Sequence, residues 1–165
     1  MKTAQKILLV DDDIDILDVV ETVLVNEGYQ VITANNKEEA IAKAETEKPD
    51  LAIVDVMMTT HYEGFELAEA LTKREVFKRL PVLMHTSIEV FESSDDDVMK
   101  FARYYRQNSS DKEMDVLLIQ DYSSGNAGID YRDEQGENHW LAVSGFIHKP
   151  ASAQSLISAI NRVLD

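Results

Sequence analysis

The sequence predicts an α/β fold in which a parallel sheet is covered by helices on both faces. Two observations carry that expectation. Short, almost continuously apolar runs alternate with amphipathic stretches, and polar or charged residues stand where each apolar run stops. Strands buried on both faces read as unbroken apolar runs, and their alternation with helices makes the sheet parallel.

The elements follow in order. Ile7-Leu8-Leu9-Val10 reads as a first buried strand. Ile16, Val19, Val20, Val23 and Leu24 then recur at helical spacing, with Gly28 as a helix stop. Tyr29 to Thr33 reads as a second strand. Asn36 with Glu39 three residues on resembles a helix N-terminus, opening a helix through Ala40, Ile41 and Ala44 towards Pro49. Leu51-Ala52-Ile53-Val54 is the third strand, closed by Asp55. Phe65, Leu67, Ala68 and Leu71 mark a third helix, and Pro81-Val82-Leu83-Met84 opens a fourth strand. Near the end, Gly145-Phe146-Ile147-His148 reads as a short strand. Leu156, Ile157, Ile160, Val163 and Leu164 form a last amphipathic helix.

One interval is irregular. Asp55 to Thr86 spans 31 positions, whereas Thr86 to Lys149 spans 63, far more than one helical crossover needs. Val98, Phe101, Ala102 and Tyr105 give a helix, with Ser93 or Ser94 as its cap. An insert of approximately residues 108–144 remains. It contains the apolar run Val116-Leu117-Leu118-Ile119. It also contains a β-hairpin, Gly128 to Asp133 and His139 to Val143, about a Glu134-Gln135-Gly136-Glu137 turn. The reading is a single domain, 1–165, with the insert inside it.

Composition narrows the function. Forty-four per cent of the 165 residues are hydrophobic, an ordinary globular value, and cysteine is absent, which removes disulfides and thiolate metal sites. No apolar run reaches the roughly 18 residues of a membrane span, and the N-terminal run is too quickly charged for a secretory signal. A cytoplasmic location and no membrane partner are expected. The net charge of −15 repels phosphate backbones, so no direct nucleic-acid binding is expected. His61, His85, His139 and His148 are scattered without metal-ligand spacing and read as surface or packing residues. A phosphate-cradling Gly-rich loop is absent.

The strand ends carry the chemistry. Strand one ends in Asp11-Asp12-Asp13, strand three in Asp55, strand four in His85-Thr86-Ser87, and strand five in Lys149-Pro150. Right-handed crossovers bring these ends to one sheet edge, where ligands of such folds bind. Crowded carboxylates repel unless a cation neutralises them, and their oxygens suit Mg2+. A carboxylate can also attack phosphorus, with an ammonium and a hydroxyl to steady the transferred group. Each element alone has a plain reading as a cap or turn; the four at successive strand ends do not.

Leu8-Leu9-Val10-Asp11-Asp12-Asp13, Asp50-Leu51-Ala52-Ile53-Val54-Asp55-Val56-Met57-Met58, Pro81-Val82-Leu83-Met84-His85-Thr86 and Gly145-Phe146-Ile147-His148-Lys149-Pro150 together resemble the receiver domains of two-component signalling. The resemblance covers about residues 5–92 and 143–165. It implies a flavodoxin-like doubly wound sheet of order 2-1-3-4-5. It implies Asp55 as phosphoacceptor, Asp11 and Asp12 as an acidic pair, and Mg2+ held by this pair, Asp55 and the backbone carbonyl of Met57. Thr86 would be the switch hydroxyl, Lys149 the cation pairing with phosphate, and Phe146 would take the place of the switch aromatic. The bond between Lys149 and Pro150 is cis in that family.

Three features depart from the family pattern. After Asp55 the family usually reads Met-Met-Pro-Gly-x-Asp-Gly, whereas this chain reads Met57-Met58-Thr59-Thr60-His61-Tyr62-Glu63-Gly64, with one extra residue and no proline. Phe146 lacks a hydroxyl. The insert lies between strands four and five, a face that receivers use for dimers and output.

The implied function is a phosphorelay switch rather than an enzyme. A histidine kinase or phosphotransfer protein would be the donor, an unknown protein the output partner, and a homodimer is allowed. Movement after strand four would re-pack the helix carrying Phe101 and Tyr105. One alternative is a degenerate receiver serving as a phosphorylation-independent interaction module, suggested by the altered loop and the insert. A more remote one is a phosphohydrolase of the haloacid-dehalogenase type, with Asp11 of Asp11-x-Asp13 as nucleophile. There Asp15 replaces the usual Thr or Val, and no cap domain is evident.

Overall fold

The computed structural model describes residues 4–56, 63–77, 79–88, 90–93, 100, 116–121, 126–132 and 135–164. Its main sheet has five strands, β1 (Lys6–Val10), β2 (Gln30–Ala34), β3 (Leu51–Asp55), β4 (Val82–Thr86) and β9 (Gly145–His148). All neighbours are parallel and the order is β2-β1-β3-β4-β9, the doubly wound order expected from the sequence.

The helices are α1 (Ile14–Asn26), α2 (Lys37–Glu47), α3 (Glu63–Lys73) and α4 (Ala153–Leu164), with a short 3-10 turn at Glu75–Phe77. Their ends follow local chemistry. Asp13 caps α1 by accepting the Asp15 N–H, and Asn36 caps α2 by accepting the Glu39 N–H. Gly28, expected as the stop after α1, sits at φ +96°, a conformation that costs glycine little.

Side chains alternate across the sheet and divide the core in two. Ile7, Leu9, Leu51, Ile53, Leu83 and Ile147 face α1 and α4, packing on Leu17, Val20, Leu24, Leu156 and Ile160. Leu8, Val10, Ala52, Val54, Val82 and Met84 face the other way, towards Ala40, Phe65, Leu67 and Leu71 of α2 and α3.

The second core contains residues of another sheet. Strands β5 (Val90–Ser93), β6 (Val116–Asp121), β7 (Ala127–Arg132) and β8 (Asn138–Val143) lie in that order; β5 and β6 are parallel, the rest antiparallel. The β7–β8 pair is the hairpin expected from the sequence, with Gly136 at φ +81° between its strands. The second sheet starts at Val90, upstream of the interval 108–144 assigned to the insert. Ser93, one of two residues expected to cap a helix, ends β5 instead. Of the helix expected around Val98, Phe101, Ala102 and Tyr105, only Lys100 is described, and it is helical; the others, and Ser94, lie outside the described residues.

Leu118, Ile129, Tyr131 and Leu141 carry the second sheet into the core beneath α3. Tyr131 ties this sheet to α3. Its ring stacks on Phe65 at 5.0 Å on one side and on His139 at 4.8 Å, and its hydroxyl donates to Glu69 Oε2 at 2.6 Å. That bond helps to hold the Glu69 carboxyl below the usual range, against the upward push of burial, with Lys73 and His139 adding to it. Tyr131→Phe keeps the stack and removes a hydrogen bond to a charged group. It should cost about 1.5–3 kcal/mol, and Tyr131→Ala about 3–5 kcal/mol, in urea unfolding.

Candidate functional site

The C-terminal ends of β1, β3 and β9 deliver the charged residues to one place. Asp11 follows β1, and its N–H donates to the Ala34 carbonyl at 3.2 Å, extending the ladder by one residue. Its side chain is 1% exposed: Oδ1 accepts the Asp13 N–H at 2.9 Å, and Oδ2 accepts Lys149 Nζ at 3.0 Å. Asp55 ends β3, 4% exposed, and its Oδ1 accepts Lys149 Nζ at 2.8 Å. The Lys149 ammonium therefore bridges two buried carboxylates that are 44 residues apart in the chain and far from it in sequence. Its N–H donates to the Thr86 carbonyl at 2.8 Å, and the peptide from Lys149 to Pro150 is cis.

Asp12 stays at the surface but shares the site. Carboxylate oxygens of Asp11, Asp12 and Asp55 lie within 4.8 Å of one another, a grouping able to hold a metal ion. Three hard oxygen donors with solvent on one side are the donor set that Mg2+ prefers, so the residues fit that ion. Met57, whose carbonyl was expected to complete the set, lies outside the described residues.

The charges act on one another. Burial pushes the Asp55 carboxyl up to about 6; the Lys149 hydrogen bond opposes this, and the neighbouring Asp11 charge adds to it. Asp12 is also raised, by partial burial and then by Asp11. Burial would lower the Lys149 ammonium, but its hydrogen bonds to Asp55 and Asp11 outweigh that and raise it. The site is thus short of positive charge, the condition under which a bound cation is stabilising.

Thr86 and Phe146 are placed differently. Thr86 is 1% exposed, and its Oγ1 accepts the Ile88 N–H at 2.8 Å. Phe146 pairs with Met84 across β9 and β4 and packs, half-buried, against the core shared with the second sheet. The structure thus brings Asp11, Asp12, Asp55 and Lys149 together and holds Thr86 and Phe146 beside them.

Two neighbours were given no role at the site by the sequence reading. His85, read there as surface or packing, pairs in register with Asp55 and lies in the same row, 3% exposed. Among the described residues its Nε2 is the buried side-chain polar atom without a hydrogen-bond partner. Burial, then the Lys149 charge, lowers its pKa to about 4, so it is neutral at pH 7. The signal was its parity with Asp55 along adjacent strands. Gly64 is the other: a Cβ there would collide with the backbone carbonyls of Val56 and Asp55. Only glycine lets α3 approach the acidic strand end so closely.

Comparison with known proteins agrees with this geometry. The sequence profile of the response regulator receiver domain matches residues 7–101. The chain belongs to this family. The receiver is 43% identical over 83 residues to the alkaline phosphatase synthesis transcriptional regulatory protein PhoP of Bacillus subtilis, a match covering 50% of this chain and 33% of that protein. It is 36% identical over 140 residues to the heme response regulator HssR of Staphylococcus haemolyticus, covering 71% and 61% respectively. Over the matched region the receiver spans about a third of the length of most of these relatives. Among solved structures, the chemotaxis response regulator CheY4 of Vibrio cholerae aligns with a TM-score of 0.62 at 27% identity, covering 98% of this chain and 100% of that one. Receivers are signalling domains of two-component systems, and no described helix is long and apolar enough to cross a membrane.

The electrostatics set two expectations for the metal-free protein. Between pH 4 and 6 the folded state holds a proton on Asp55 that the unfolded chain has released, so stability falls as pH rises through that window. Asp55→Asn should therefore raise stability at pH 7 by on the order of 1–2 kcal/mol, with the gain vanishing below pH 4, in denaturant titrations across pH. His85 has the opposite sign: the unfolded chain binds the extra proton between its ordinary pKa and about 4, so stability falls as pH falls. His85→Leu should add about 1 kcal/mol at pH 7 and more at pH 5, read by thermal unfolding.

Proposed function

We propose that this receiver is a phosphorylation switch in which Asp55 accepts a phosphoryl group and the change is read by a partner protein. The observation that carries this reading is the Lys149 ammonium bonded at once to Asp11 and Asp55, beside Asp12. A carboxylate nucleophile, a cation within reach of its oxygens and an acidic pair able to hold a divalent ion meet in one place.

The step follows from those parts. An Asp55 carboxylate oxygen attacks phosphorus of a phosphohistidine or a small acyl phosphate. The new O–P bond forms as the donor's N–P or O–P bond breaks, and the leaving imidazole or carboxylate takes the electron pair. Asp11, Asp12 and Asp55, with the Met57 carbonyl, would hold Mg2+, which would supply charge neutralisation for the transferred group. Lys149 pivots from the Asp55 oxygen to the new phosphoryl group while keeping Asp11. Thr86 turns its hydroxyl towards that group, and Phe146 follows on the adjacent strand. Asp13 takes no part; its side chain is engaged in capping α1.

The donor in this reading is a histidine kinase or phosphotransfer protein. PhoP is named as a transcriptional regulator, but the charge of −15 argues that any contact with DNA is made by a separate module or partner. A cytoplasmic location fits a donor of this kind, and one domain over 1–165, with the second sheet inside it, fits the shared core.

Acetyl phosphate with Mg2+ should add one phosphoryl mass to the wild-type protein and none to Asp55→Asn. Omitting Mg2+ or changing Lys149 to Ala should reduce labelling at least about tenfold, on the scale of losing one charged stabiliser of a transition state. Intact-mass spectrometry reads each result. Undiminished labelling of Asp55→Asn would sink the assignment, and no labelling of any variant would favour the interaction-module reading.

A further inference from the structure

At the end of the main sheet away from Asp55, a pocket opens between the α2–β3 connection and the connection from the 3-10 turn to β4. Its volume is about 460 Å3, within the range of small-molecule sites. Its apolar wall is Ala44, Pro49, Val76, Phe77 and Leu80. Ala44 and Phe77 are buried, and the Leu80 N–H donates to the Phe77 carbonyl at 2.8 Å, which holds that wall in place. Val76 is 70% exposed, so part of the wall is apolar surface left in water.

The charges at the rim are not balanced by their own neighbours. Four charged residues stand there, Glu45, Lys48, Asp50 and Arg79. The acids are already engaged: Glu45 Oε1 lies 4.0 Å from Arg74 Nη1, and Asp50 Oδ2 accepts the Lys6 N–H at 2.8 Å. The cations are not. Among the described residues neither Lys48 nor Arg79 has a carboxylate within ion-pair distance, in a chain with 31 acids against 16 lysines and arginines. Lys48 also stands at φ +49°, the left-handed conformation that glycine commonly supplies at a helix end. The chain keeps a cationic side chain there against that backbone preference.

We propose that this pocket binds a small amphipathic acid, an aromatic or short aliphatic body carrying one carboxylate or phosphate head. The body covers Val76, Phe77 and Leu80, and the head pairs with Lys48 and Arg79. The net charge of −15 opposes any anion at long range. At about 0.15 M salt, however, charges beyond about 8 Å are screened, so the two cations in contact with the head decide. From Asp50 to Asp55 the chain runs along β3 for roughly 16 Å, so the pocket is separate from the acidic cluster and does not depend on the reading of Asp55.

The probes are 2-naphthoate and 2-naphthyl phosphate, with 2-naphthol as the neutral body of the same shape. Each is titrated into 15N-labelled protein and followed by amide shifts. At least one of the two acids should give saturable shifts at Ala44, Lys48, Phe77 and Leu80 with a Kd below about 1 mM, and the tighter of the two names the head group. 2-Naphthol should bind at least about threefold more weakly than that acid. Lys48→Gln and Arg79→Gln lie at the surface and should leave the rest of the spectrum in place. Each should weaken the acid about threefold and the pair about tenfold, the scale of exposed ion pairs, with no effect on 2-naphthol. No saturable shift at these four residues with either acid would overturn the proposal. So would 2-naphthol binding as tightly as the acids, or undiminished acid binding by the double variant. A capped tripeptide of one phenylalanine and two glutamates should not displace the acid. Displacement at lower concentration than the acid itself would show a site for a partner's acidic segment and overturn the small-ligand assignment.

Discussion

The site hangs on one ammonium placed between two carboxylates. Asp11 and Asp55 are almost wholly removed from water, and two such anions side by side would each face a desolvation cost of several kcal/mol. Lys149 offsets that cost by donating to both, at 3.0 and 2.8 Å. The compensation is incomplete, since the Asp55 carboxyl remains raised. The sheet edge is therefore stable enough to exist and strained enough to favour an incoming cation.

The two faces of the main sheet have separate tasks. One face, packed on α1 and α4, is an ordinary apolar layer that fixes β1, β3 and β9 in register, and so sets where Asp11, Asp55 and Lys149 emerge. The other is shared between α2, α3 and the second sheet, and it includes polar fittings: the Tyr131 hydroxyl on Glu69, and His139 stacked on Tyr131. The second sheet is thus wedged against α3 by a stacked aromatic pair and entered within a few residues of Thr86.

Most of the site was legible in the sequence because its residues stand at the ends of apolar runs. Val10, Asp55 and His148 close their strands, so Asp11, Asp55 and Lys149 could be assigned to one edge by the rules of parallel sheets alone. The hairpin of β7 and β8 was legible for a similar reason, two strand-like runs about a glycine turn. What escaped depends on pairing across the chain. Val90–Ser93 is too short and too polar at Glu92 and Ser93 to declare itself a strand, and becomes one by pairing with Leu118 to Asp121. The importance of His85 and Gly64 is likewise invisible until Asp55 is set beside one and against the other. The loop after Asp55, where the family pattern breaks at Thr59, lies outside the described residues.

The order of the site's parts along the chain has a consequence for biosynthesis. The two buried acids are contributed by residues 11 and 55, whereas their counter-ion is residue 149 and its strand fills the edge of the sheet. A ribosome adding about 5–20 residues per second exposes the acids many seconds before the lysine emerges. Over that interval the ammonium that bridges the two carboxylates is missing, so the sheet edge formed by β9 cannot yet close over them. Nascent or prematurely terminated chains that stop short of residue 149 consequently lack the assembled cluster of Asp11, Asp55 and Lys149.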